Sequence, residues 1–123
     1  MIKLDFEKGN GLIPVIAQDA ETNEVLMLAY MNKEAWEKTL KTGKATYFSR
    51  SRSMVWAKGE TSGYFQTVKE ILVDCDNDAM ILKIEQKGKG ACHNGYKSCF
   101  YQKVKGIKLV TKGKRAFDPK KVY

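Results

Sequence analysis

The sequence predicts an α+β fold that is mainly β: one small domain in which short strands surround a single main helix. Three observations point there. A chain of 123 residues fits one domain with a modest core. One run, Lys33 to about Thr42, carries helix signals at both of its ends. Elsewhere the apolar residues fall in short β-prone runs broken by Gly, Asn and Asp.

Residues 12–18 read as the first strand, and Pro14, which has no N–H for a ladder, places it near a sheet edge. Asp19 to Asn23 is a polar turn, and Glu24 to Tyr30 returns as the second strand of a hairpin. Asn32 then suits a helix N-cap, because its side-chain oxygen can take an orphan backbone N–H. Met31 and Trp36 are spaced for a hydrophobic staple, and Gly43 follows the last helical residues. Ala45 to Ser49 is β-prone, and Met54 to Trp56 extends a strand before the polar loop 58–63. Tyr64 to Cys75 reads as a long strand reversed at Asp76, Asn77 and Asp78. Ala79 to Gln86 is its partner, with Met80, Leu82 and Ile84 on one face. A flexible connector, 87–90, follows; after Phe100 the chain alternates briefly and ends in a Lys-rich tail. There is no internal repeat and no Rossmann or P-loop glycine pattern.

The balance of charge narrows the partners. Residues 1–82 carry 10 basic and 12 acidic side chains, whereas 83–123 carry 12 and 2, so the net +8 resides in the last third. Such a field favours anions, either phosphorylated metabolites or nucleic acid. No signal peptide is visible, and no run approaches the ~20 apolar residues of a membrane span. The expectation is a cytoplasmic protein with no membrane partner. Three cysteines cannot all pair within one chain, and in a reducing compartment they are ligands or reactive thiols more often than disulfides.

Two segments concentrate the chemistry: Val73 to Asp78, and Ala91 to Phe100. Between them they hold all three cysteines, the only histidine and three closely spaced aspartates. In an extended chain Asp74 and Asp76 face one way and Cys75 the other, with Asp78 joining the carboxylates. Three such carboxylates repel unless a hard cation sits among them, although a solvated acidic turn has the same composition. Cys75, Cys92 and Cys99 with one water make a tetrahedral zinc site with an open, catalytic corner. A fourth ligand from His93 would close that site and make it structural; inert buried cysteines and a Cys92–Cys99 disulfide are the other readings. If the backbone is extended, His93 points away from Cys92, which suits a proton shuttle.

A third cluster begins at Ser49-Arg50-Ser51-Arg52 and continues through Trp56, Lys58, Glu60, Thr61 and Ser62. Forked guanidinium donors and hydroxyls suit phosphate oxygens, and Trp56 offers a face for a base. Taken alone, the cluster reads equally as a solvated basic loop.

At these residues the sequence resembles the phosphoribosyl-AMP cyclohydrolase family of histidine biosynthesis. The resemblance is carried by Gln18-Asp19, Val25 to Asn32, Tyr47 to Arg52, Trp56 with Lys58 to Gly63, Asp74 to Asp78, Cys92-His93 and Ser98 to Tyr101. These motifs stand in order over about residues 11–104 of a single 1–123 domain, with 105–123 as a basic tail. The resemblance implies one magnesium per subunit on Asp74, Asp76 and Asp78, and one zinc per subunit on Cys75, Cys92 and Cys99. It also implies an intertwined homodimer in which Cys75 comes from one subunit and the other two thiolates from its partner. The implied reaction opens the adenine ring of N1-(5-phosphoribosyl)-AMP at the N1–C6 bond, and on chemical grounds His93 is the candidate for the proton transfer. Arg50, Arg52, Trp56, Lys58, Thr61 and Ser62 are then the candidate substrate contacts. The competing reading is a small zinc-stabilised nucleic-acid-binding module with a closed four-ligand zinc. A zinc deaminase would need His-x-Glu and Pro-Cys-x-x-Cys signatures, which are absent.

Overall fold

Local sequence signals set the elements of the computed structural model, which describes residues 2–123. In chain order they are β1 (Ile13–Asp19), β2 (Val25–Met31), α1 (Lys33–Thr42), β3 (Thr46–Ser49), β4 (Met54–Ala57), β5 (Gln66–Val73), β6 (Met80–Gln86), β7 (Gln102–Lys105) and β8 (Lys108–Thr111). A 3₁₀ turn, Pro119–Lys121, follows. The fold is thus mainly β, with one α-helix among the described residues.

Two hairpins form the main sheet, in the order β2-β1-β6-β5. Asp19 turns the first, its Oδ1 accepting the Glu21 and Thr22 N–H groups at 2.9 and 3.2 Å. The hairpins join through a parallel pairing of β1 with β6, from Val15 opposite Met80 to Asp19 opposite Ile84. This corrects the edge placement of β1, which is an inner strand. Pro14 is tolerated because it pairs only with Tyr30 of β2 and precedes the stretch that meets β6.

β1 and β6 alternate buried and half-buried residues, so Ile13, Val15 and Ala17 share one face with Met80, Leu82 and Ile84. Leu26, Met27 and Met31 of β2 complete the apolar layer, and α1 covers it with Ala35 and Trp36. Asn32 caps the helix by accepting the Ala35 N–H at 2.9 Å. Gly43, at φ 73°, ends it and donates its N–H to the Thr39 carbonyl. Buried Thr39 then ties the helix to β3: its hydroxyl oxygen accepts the Thr46 N–H at 3.0 Å.

One polar network lies inside this core. The Tyr47 hydroxyl donates to Gln66 Oε1 at 2.5 Å, and Gln66 Nε2 donates to Gln86 Oε1 at 2.9 Å. Both Tyr47 and Gln66 are fully buried, and burial pushes the phenol far above its ordinary range. Gln66→Leu leaves that hydroxyl without its acceptor and should lower unfolding free energy by about 2 kcal/mol. A urea titration with an unchanged midpoint would contradict the network's contribution.

β5 ends at Val73, so Asp74 to Ala79 forms a turn and the extended run expected through Cys75 stops short. At the other end of the chain, β7 and β8 make a separate two-stranded hairpin that crosses the boundary expected at residue 105. Its residues are exposed throughout, Val104 and Leu109 among them.

Candidate active site

Asp74, Asp76 and Asp78 converge, and the turn, rather than strand alternation, is what gathers them. Asp74 Oδ1 accepts the Asp78 and Ala79 N–H groups at 3.0 and 3.2 Å, and Asn77 sits at φ 62°. Ligand oxygens of all three side chains lie within 4.8 Å of one another. The Lys8 ammonium reaches into the cluster, 2.6 Å from Asp76 Oδ2 and 2.9 Å from Asp78 Oδ2. Lys8 holds the Asp76 carboxyl down at about 2. It also pulls on Asp78, but the neighbouring carboxylates Asp76 and Asp74 outweigh it and move that carboxyl upward.

Cys75 is exposed at the tip of the same turn, away from the other two thiols. The acid turn leads into the first residue of β6 and the cysteine loop follows its last, with a strand of roughly 20 Å between them. Among the described residues, the three sulfurs form no metal-holding group within one chain.

Cys92 and Cys99, by contrast, are neighbours. The loop folds on itself: the Cys92 N–H donates to the Tyr96 carbonyl at 3.1 Å and the Gly95 N–H to the Cys92 carbonyl at 3.0 Å. Cys99 is then pinned to β2, its N–H donating to the Leu26 carbonyl at 2.6 Å, while the Ser98 hydroxyl donates to Val25 at 2.8 Å. All three cysteines are free thiols. Cys99 is exposed as a residue, yet burial around its sulfur, with the Cys92 thiol beside it, pushes it up to about 12. Lys58 is buried next to this pair and its Nζ donates to the Ala91 carbonyl at 2.7 Å. Burial lowers its pKa, and the Cys99 and Cys92 sulfurs act in the opposite direction.

Successive residues of the loop face different ways, so Cys92 is buried and His93 is exposed. His93 opens onto a pocket of about 320 Å³ lined by Arg52, Trp56, Lys58, Thr61 and Ser62. β4 supplies Trp56, and the 58–63 turn supplies the hydroxyls. That turn depends on Gly59, at φ 100°, where an added Cβ would come within 2.6 Å of the Phe65 nitrogen. Arg50 does not line the pocket; its guanidinium lies over the Tyr30 ring, 4.0 Å from the centroid.

Comparison with known proteins bears on this arrangement. The sequence model of phosphoribosyl-AMP cyclohydrolase matches residues 27–101. A phosphoribosyl-AMP cyclohydrolase of Desulforapulum autotrophicum is 65% identical over all of this chain and 99% of the relative. The chain belongs to the phosphoribosyl-AMP cyclohydrolase family. Relatives of that name from Desulfatibacillum aliphaticivorans and Methanococcoides burtonii are 64% and 58% identical; each covers this whole chain, with 98% and 100% of the relative matched.

Membership makes the chain an enzyme, and it displaces the nucleic-acid-binding module. Every pocket residue expected from the sequence lies in the stretch matched by the cyclohydrolase family. Two residues that sequence reading missed lie outside it. Lys8 and the pocket-lining Tyr123 belong to no motif, and each reaches its site through tertiary contacts alone.

Proposed function

We propose that the chain hydrolyses N1-(5-phosphoribosyl)-AMP at the N1–C6 bond in histidine biosynthesis, giving phosphoribosyl-formimino-aminoimidazole carboxamide ribotide. The enzyme is a zinc- and magnesium-dependent homodimer of single-domain subunits working in the cytoplasm. The observation that carries this reading is the nucleotide-sized pocket in which His93, Trp56 and Arg52 meet beside the Cys92–Cys99 pair.

The donor set fits zinc, because soft thiolates select it and two of them already lie side by side. Zinc held by Cys92, Cys99 and Cys75 of the partner subunit would supply the Lewis acidity that makes hydroxide available near neutral pH. The separation of Cys75 from the pair within one chain supports sharing across a dimer. Exposed apolar residues on two elements support the dimer itself: Leu72 and Val73 on β5, and Val104 and Leu109 on the outlying hairpin. Cys75 lies inside the acid turn, so docking it on a second copy's thiol pair also delivers three carboxylates to that copy's pocket. Those carboxylates fit magnesium, since they already converge on a positive charge, that of Lys8.

Within the pocket, Trp56 offers its face to the purine, and the Thr61 and Ser62 hydroxyls with Arg52 bind phosphate oxygens. Lys58 holds the Ala91 carbonyl and so fixes the backbone next to Cys92. His93, exposed on the pocket, hands a proton to N1 as the ring bond breaks. Arg50 contributes positive potential from its place on Tyr30.

An absorbance assay with N1-(5-phosphoribosyl)-AMP, with and without a zinc chelator, tests the reading. Turnover that disappears with chelator and returns with zinc supports it; no turnover by zinc-loaded protein contradicts it. Lys8 adds a separate expectation. As a tethered cation it competes with magnesium, so Lys8→Met should lower the magnesium concentration needed for half-maximal activity by roughly 2- to 10-fold. An unchanged or higher requirement would show that Lys8 does not compete.

A further inference from the structure

The basic tail was left without a task by the sequence, and the fold gives it one. After β8 the chain turns back and clamps onto the loop that carries His93. The Ala116 and Phe117 N–H groups both donate to the Gly95 carbonyl, at 2.7 and 3.2 Å, and Arg115 Nε donates to the Asn94 carbonyl at 2.9 Å. Phe117 packs edge-on against Tyr64, with ring centroids 5.2 Å apart. The approach is close enough that a Cβ on Gly95 would lie 2.5 Å from the Phe117 oxygen. Asp118 then caps the 3₁₀ turn through the Lys120 N–H at 3.0 Å, and the Tyr123 N–H donates to the Pro119 carbonyl at 2.9 Å. This chain of contacts ends with Tyr123 in the wall of the pocket, alongside Trp56, Thr61 and His93. Tyr123 remains 45% exposed, so its ring has surface left to cover.

We infer that residues 115–123 form a nucleotide-binding wall of the active-site pocket, in which Tyr123 contacts the bound purine nucleotide and Phe117 positions it. The inference rests on the pocket being the substrate site proposed above. A half-exposed tyrosine lining a cavity that also presents Trp56 suits a flat base, for stacking is available from any aromatic face. The rest of the tail serves to place that ring, which is why its contacts are concentrated on Asn94, Gly95 and Tyr64. The wall lies outside residues 27–101, the part matched by the family model, although the relatives named above align with this chain over its whole length.

Binding of AMP by zinc-loaded dimer, followed by calorimetry, and steady-state kinetics with N1-(5-phosphoribosyl)-AMP test the wall together. Tyr123→Ala should weaken AMP binding and raise KM by roughly 5- to 50-fold, with kcat within about twofold and zinc content unchanged. Tyr123→Phe keeps the ring and should restore both values to within about twofold of the parent. Phe117→Ala should reproduce the rise in KM by releasing the segment. Unchanged AMP affinity in both alanine variants overturns the wall, whatever happens to turnover. A parent protein that binds AMP through Tyr123 yet never turns over the substrate leaves the wall standing and overturns the hydrolase reading instead.

Discussion

Cys92→Ala is expected to remove zinc and turnover together. Cys92 is buried, 3% exposed, and its sulfur lies beside Cys99, so it forms half of the only thiol pair among the described residues. Removing it leaves one thiol per chain at that place, too few donors for a tetrahedral site. The substitution is small and costs the loop one long contact, the Asn94 N–H donated to Cys92 Sγ at 3.4 Å, so the fold should survive and the loss should be specific. Zinc content by mass spectrometry and activity on the nucleotide are the two readouts; full activity without zinc would remove the thiols from the chemistry. The same pair predicts a pH dependence. The metal-free Cys99 thiol is pushed up to about 12 and therefore carries its proton at neutral pH. Zinc has to displace that proton, so apparent zinc affinity should climb as pH rises from 6 to 8 and fall in acid.

His93→Ala is expected to keep zinc and to slow turnover by about 10²–10⁴-fold, the usual contribution of a placed proton donor. The imidazole is exposed, so truncation removes little packing and should leave the unfolding midpoint where it was. It lines the pocket with Trp56 and Thr61, whereas its neighbour Cys92 turns inward. On the proposed reading, that difference between adjacent residues makes His93 the proton carrier and Cys92 the ligand. Loss of zinc in the variant would make His93 a ligand, and unchanged turnover would make it structural.

Several of these features were readable because they depend on neighbours in sequence. The helix from Lys33 to Thr42 is fixed by Asn32 and Gly43, both local signals, and β6 shows its buried face as the alternation of Met80, Leu82 and Ile84. The opposite facing of Cys92 and His93 likewise follows from adjacency. What escaped depends on chain segments far apart. The parallel pairing of β1 with β6 joins residues more than sixty positions apart and turns Pro14's strand from edge to interior. The three aspartates meet because Asp74 caps a tight turn through its own side chain, an arrangement that strand alternation does not anticipate. Lys8 and Tyr123 arrive at their sites through the fold of segments that carry no motif. Arg50 and Arg52, two residues apart on one turn, separate because Tyr30 holds the first. Of the pocket wall, Arg52, Trp56, Lys58, Thr61 and Ser62 were legible from residue type and spacing, whereas Tyr123, brought in from a distant segment, was not.

In the proposed enzyme each working site draws its sulfurs from two chains, Cys92 and Cys99 from one and Cys75 from the other. Mixing and refolding equal amounts of Cys75→Ala and Cys92→Ala subunits decides whether the site is shared. Each variant alone should be inactive. In a mixed dimer one site carries both lesions and the other carries neither, so random pairing should restore about a quarter of the parent activity and of its zinc. A mixture as inactive and as zinc-poor as its two components would contradict the claim and place all three sulfurs of a site on one chain.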